Sequence, residues 1–347
     1  MFRLLDLPRE LRDLILEYAV YISQTPPSDP WSGPGDRAAA HDVDYEAQVD
    51  APRDVLYQPT LTGETTLRKL LLVNRQIREE TMAIIRKITR PSYCVDVIAL
   101  HQLKLWPTWV SVPVIRTHLD EVRMELRIFG HCLSRQAALA NRTDTGSFIL
   151  KWRFYAMLER FLIHGPLFLP NQAKGEEKDR KCFMRTLTIN VTACPDEKHP
   201  LASSEITYSN YWRWLCTRMM HRPLSVPFDL DDVMPRPEWM ASGLSTEIGA
   251  LLMMDYHHLY YGGLLYEHIG AIRILVDGKV HKEFNLAERL AALRFNCEQS
   301  VFTREKRRRY FWRWKRTALR KRLDAGLPVI MPEDPELADL PESEDEG

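Results

Sequence analysis

Apolar residues near the start of the chain recur at helical intervals. Leu7, Leu11, Leu14, Ile15 and Tyr18 are spaced by four, three, one and three positions, which places them on one stripe of a helix. Arg9, Glu10, Arg12, Asp13 and Glu17 fall mostly on the other faces. Pro8 suits the first turn, where its missing N–H has no intrahelical partner, Asp6 can cap, and Glu10 complements the positive end of the dipole. A second helical pattern covers Leu67 to Ile88, with Thr65 or Thr66 as cap and apolar positions at Leu67, Leu70, Leu71, Ile77, Ile84, Ile85 and Ile88. Asn74 and Thr81 interrupt that stripe. A polar residue among leucines needs a partner, so Asn74 is expected to bridge to the first helix or to bond water.

Between the two patterns the composition changes. TPPSDPWSGPGD, the acidic HDVDYEAQVD and Pro52 read as an exposed, flexible insertion at about 23–64.

Beyond Pro91 the period changes to two. Tyr93 to Ile98 is a short strand, and LWPTWVSVP from Leu105 to Pro113 reads as extended chain. Val122, Met124, Leu126 and Ile128 alternate with Glu121, Arg123, Glu125 and Arg127, as in a strand with one wet face. Leu187, Ile189 and Val191 repeat this in RTLTINVT. Between these strands, Phe148, Trp152, Tyr155, Leu158, Phe161 and Leu162 have helical spacing and would cover the sheet. A charged loop at 175–181, a helix at 208–220 carrying Tyr211, Trp212, Trp214 and Leu215, and a proline-rich crossing at 223–237 follow. Ile272, Ile274 and Val276, the turn Asp277-Gly278, then Val280 and Phe284 form a type I′ hairpin. Leu286, Leu290, Leu293 and Cys297 return to helical spacing. The fold class is α+β: N-terminal helices, then a mixed or antiparallel sheet of about four or five strands covered by helices. The divisions are 1–91 for the helical module, 92–300 for the body, and 301–347 for a basic helix with an acidic disordered tail.

The module carries a resemblance. LLDLPRELRDLILEYAV together with LLLVNRQIREET is similar to the F-box-like region of a large group of poorly characterised fungal proteins. That likeness implies a short helical bundle that docks on the Skp adaptor of a cullin ubiquitin ligase. Leu7, Pro8, Leu11 and Ile15 would carry the adaptor contact, and Leu71, Val73, Arg75 and Ile77 would close the bundle. The body would then hold a protein substrate, and the mechanism would be tethering, which needs no active-site residue.

Composition narrows the alternatives. The chain of 347 residues is 45% apolar, enough for a sizeable core, and its 47 basic and 47 acidic residues cancel, so no global field attracts nucleic acid or anionic membrane. No apolar run reaches the roughly 18 to 20 residues that span a bilayer. Six scattered cysteines without a Cys-x-x-Cys pair read as free thiols in a reducing compartment, which places the chain in the nucleus or cytoplasm. His257, His258, His268 and His281 lie near Asp255, Glu267 and Asp277 without metal-ligand spacing, and Gly262-Gly263 forms no phosphate loop. No cofactor, metal or catalytic constellation is indicated, and the expectation is a protein that is not an enzyme.

Charge is polarised at the end of the chain. Arg304 to Arg322 holds eleven bases and one acid, whereas Glu333 to Glu346 holds eight acids and no base. Lys306, Arg307, Arg308, Arg309, Lys315 and Arg316 could be a solvated helix face, a nuclear import signal, or phosphate contacts with Phe311, Trp312 or Trp314 stacking on bases. On a helix, Trp312 and Trp314 point about 200° apart, so one is expected to face a core and the other water. A self-contained scaffold is the alternative to the ligase adaptor, and a nucleic-acid clamp is a third reading.

Overall fold

Structure is described, in a computed structural model, for residues 4–31, 37–40, 51–58, 62–131, 150–166, 181–208, 210–211, 233–254, 259–295 and 304–332. The helices among them are α1 (Arg9–Val20), α2 (Thr62–Val73), α3 (Arg75–Lys87), α4 (Lys151–His164), α5 (Pro237–Leu251), α6 (Leu259–His268), α7 (Leu286–Ala292) and α8 (Arg304–Asp324). The strands are β1 (Ala38–Ala39), β2 (Leu56–Tyr57), β3 (Tyr93–Leu100), β4 (Lys104–Ser111), β5 (His118–Phe129), β6 (Phe183–Ala193), β7 (Ile269–Val276) and β8 (Lys279–Asn285).

The alternating segments assemble a mixed six-stranded sheet in the order β4-β3-β5-β6-β7-β8. Its four central strands are parallel, and the hairpin partners β4 and β8 add an antiparallel strand at each edge. The sheet is therefore larger than the four or five strands expected, because LWPTWVSVP is a full strand and both edges close with hairpins. Asp277 and Gly278 take positive φ of 47° and 77°, as the I′ turn demands. Val280 is exposed rather than turned inward, since the register shifts at Ile274/Leu275 and leaves only Phe284 of this strand in the core.

The inward side chains Val97, Met124, Leu126, Ile189 and Ile274 meet helices α4, α5 and α6 in one large apolar cluster. The opposite face carries Asp96, Glu121, Arg123, Glu125, Arg127, Thr188 and Asn190. It is stitched by Thr188 Oγ1 donating to Glu121 (2.6 Å) and Asn190 Nδ2 donating to Glu125 (2.7 Å).

Three expectations about the first ninety residues change. The described parts of the supposed flexible insertion belong to the body: Ala40, Val55 and Tyr57 are buried in the main cluster, and Val55 bridges to Leu105 beside β4. Arg153 of α4 pairs with Asp54, and the Arg160 guanidinium lies 4.8 Å from the Tyr57 ring centroid. Pro-rich composition signalled irregular backbone, and its few apolar residues are what fasten it. Second, the pattern from Leu67 to Ile88 is two helices, not one. Asn74 is the N-cap of α3, its Oδ1 accepting from Ile77 N at 2.8 Å, so its side chain satisfies a helix end and not the first helix. Third, α2 begins at Thr62, ahead of Thr65 and Thr66.

The C-terminal helix docks on the body. Phe311 and Trp312 are buried, and Trp314, half-buried, donates from Nε1 to Glu267 at 3.0 Å. Neither tryptophan is left in water: Trp312 is buried, and Trp314 meets Tyr266 of α6 edge-on. Helix α7 stops at Ala292, with Leu293 as its C-cap, and Lys315 is fully buried with Nζ donating to the carbonyls of Ala291 and Leu293. Arg322 is also fully buried. Its guanidinium donates to the carbonyls of Tyr266, Ile269 and Pro328, and burial pulls its pKa down to about 10, which leaves it cationic at neutral pH. Cys297, the charged loop at 175–180, most of the 208–220 helix, His257, His258 and the acidic tail lie outside the described residues.

Candidate partner-docking face

Helices α1, α2 and α3 form a small bundle around Leu16, Val20, Ile77, Ile84, Ile85 and Ile88, with Leu67, Leu70 and Leu71 packed against it. Helix α1 contributes Arg12, Leu16 and Val20 to the inside, at successive intervals of four. The stripe anticipated from the sequence is the other one. Leu11, Leu14, Ile15 and Tyr18 are between 43% and 78% exposed. An apolar helix face turned to water is the feature that marks an interaction site, because a monomer gains nothing by leaving it uncovered.

Arg12 decides which stripe turns inward. Its guanidinium grips Glu80 of α3 with two hydrogen bonds, Nε to Oε2 at 3.1 Å and Nη2 to Oε1 at 2.6 Å, and both side chains are withdrawn from water. Gln76 adds a third donor to the same carboxylate. The Arg12 hydrogen bond holds the Glu80 carboxyl below its ordinary range. The pair fixes the rotation of α1 about its axis and so turns Leu11, Leu14 and Ile15 outward. The N-cap position of α1 is Pro8, which makes no side-chain hydrogen bond.

The residues singled out by the F-box likeness divide accordingly. Pro8, Leu11 and Ile15 are exposed, and Leu7 is half-buried. Val73, 63% exposed, ends α2, and Arg75, exposed, pairs with Glu79 one turn on. Leu71 and Ile77 pack inside the bundle. Leu14 and Tyr18 extend the exposed stripe of α1, and Leu72 of α2 is exposed as well. Of the basic segment, Arg308 and Arg309 are exposed, Arg307 and Arg316 half-buried, and Lys315 buried. The helix reaches Lys306, whose side chain lies outside the described residues.

The bundle is joined to the body. Arg116 Nη2 donates to Ile85 O, Val114 enters the bundle's core, and Arg90 of the α3–β3 connection donates to Ala325 O beyond α8. Gln24 N donates to Val110 O of the edge strand β4. Arg127 of β5 donates to the carbonyls of Pro27 and Ser28 while pairing with Asp96 at 2.6 Å. Among the described residues no helix is long and apolar enough to cross a membrane. No protein-family model, characterised protein or solved structure matches the chain.

Proposed function

We propose that the chain is a non-catalytic interaction protein that docks a partner on the outer face of α1, the partner being the Skp-type adaptor of a cullin ubiquitin ligase. The supporting observation is the exposure of Leu11, Leu14, Ile15 and Tyr18 on a helix whose opposite face is already packed. The F-box likeness supplies the identity of the partner, and the body would present a protein substrate to the ligase. Such an adaptor acts through effective concentration. Its test is a pull-down of the purified full chain with a purified Skp-type adaptor. The wild type should bind, and a Leu11→Arg, Ile15→Arg double variant should lose binding while keeping its circular dichroism. Absence of binding by the wild type overturns the adaptor reading.

A scaffold without ligase contact is the second reading, and the fastening of the bundle to the body through Arg116, Arg90 and Val114 favours it. There, another protein occupies the same face. Affinity capture from cell extract, with the double variant as control, separates the two by whether ligase subunits are recovered. The third reading, a nucleic-acid clamp, has less to stand on, since Lys315, Arg322 and Trp312 are engaged in packing.

A further inference from the structure

We infer that the outer face of α1 receives an amphipathic α-helix whose apolar stripe is bordered by lysine or arginine. The inference rests on the reading of that face as the docking surface and adds the chemistry of its occupant. Leu11, Leu14, Ile15 and Tyr18 stand at i, i+3, i+4 and i+7, the spacing by which one helix anchors on another. With Leu11 and Tyr18 at the a position of a heptad, Leu14 falls at d, Ile15 at e, and Glu10 and Glu17 at g. Residues seven apart on an α-helix are about 10.5 Å apart along the axis and share one side to within about 20°. The two glutamates therefore form an acidic row along one edge of the apolar stripe. Leu16 and Arg12, at f and b, lie on the side already packed within the bundle.

The cations nearest this row are engaged elsewhere. Arg9 faces Asp13 at 3.8 Å, Arg75 pairs with Glu79 at 2.9 Å, and Arg12 is held by Glu80. Glu10 and Glu17 are exposed, and among the described residues no cation stands within salt-bridge distance of either. An apolar surface with an uncompensated acidic edge selects a partner of opposite charge, as the e and g rows of paired helices do. A second copy of the chain is a poor occupant. Antiparallel pairing sets g against g, so the two glutamates of one copy would meet the same carboxylates of the other. Parallel pairing sets g against e, where Ile15 would desolvate a carboxylate and offer it nothing. A helix with lysine or arginine in its flanking rows answers the glutamates in either direction.

The test uses the full chain and two synthetic peptides of about 21 residues, three heptads with leucine at every a and d. One carries lysine at every e and g, the other glutamate, so that like charges keep copies of each peptide apart. Fluorescence anisotropy at low ionic strength should show the lysine peptide binding about tenfold more tightly, since two facing positions turn from attraction to repulsion. The ratio should shrink in about 0.5 M sodium chloride. Glu10→Lys with Glu17→Lys should reverse the order of the peptides with circular dichroism unchanged. No binding of the lysine peptide, equal binding of both, or an order that survives charge reversal overturns the inference. So does a dimer in sedimentation equilibrium that the Leu11→Arg, Ile15→Arg variant abolishes, which assigns the face to a second copy. Lysine-peptide binding that persists in that variant overturns the choice of α1 as well. A failed adaptor pull-down with the peptide order intact overturns only the identity of the partner.

Discussion

Glu80 is a carboxylate whose surroundings favour its charged form, chiefly through the hydrogen bond from Arg12. Its folded pKa is depressed below the unfolded value of about 4.3, so it contributes stability above that pH and the contribution disappears as pH falls through the folded value. The expected outcome is an acid-sensitive bundle: urea unfolding followed between pH 6 and pH 3 should show stability falling, with Glu80→Gln less stable at pH 6 and flatter towards acid. Asp96 behaves in the opposite sense. Burial raises its pKa, and the paired Arg127 opposes that rise. Replacing Arg127 by Met strands the carboxylate, a loss of about 3–5 kcal/mol at neutral pH by denaturant titration. The loss should shrink in acid, where Asp96 is protonated. Neither pair is visible in the sequence, since Arg12 and Glu80 are 68 positions apart and Asp96 and Arg127 are 31 apart. A lone arginine on a helix reads as a solvated residue until its partner is placed.

At the level of elements, α1 shows how periodicity leaves two solutions. Leu11, Leu14, Ile15 and Tyr18 make one stripe, and Arg12, Leu16 and Val20 make another on the opposite side. Pattern alone chooses the richer stripe, whereas the fold buries the one that carries the ion pair. Leu16→Ala should cost about 2–5 kcal/mol, while Leu11→Ala or Ile15→Ala should stay within about 0.5 kcal/mol, measured by thermal or chemical unfolding. Comparable losses at Leu11 and Leu16 would mean that the outer face is covered within the chain. Strand alternation was more informative, because a period of two allows only two faces, and Met124, Leu126, Ile189 and Ile274 all turned inward as read. The break at Asn74 was not legible as such. Its position inside an apolar stripe suggested a bridge, and the physical reason for its presence is a helix start.

Over the whole molecule, the α+β class was legible, and the contacts that tie residues 37–57 and the basic helix to the body were not. Composition marks 23–64 as loop-like, yet Val55 and Tyr57 complete the core beside Leu105, and the basic helix is tied to α7 by Lys315 and to α6 and β7 by Arg322. Charge and proline content describe what a segment exposes in isolation and are silent about the few side chains that bury. A chain truncated to residues 92–347 should therefore lose its cooperative unfolding transition. So should one ending at residue 303, where an ordinary tail would be dispensable; calorimetry of the purified fragments checks both.

The fastening of the bundle has a mechanical consequence. With Gln24 and Arg90 anchored on the body, and Arg116 of the body holding Ile85 of α3, a protein seated on α1 would ride at a set distance and heading from the sheet, as on a bracket and not on a leash. Two labels, one on the docked protein and one on β8, would then report a single narrow separation, and the reach of the assembly would be decided by the shape of the body itself.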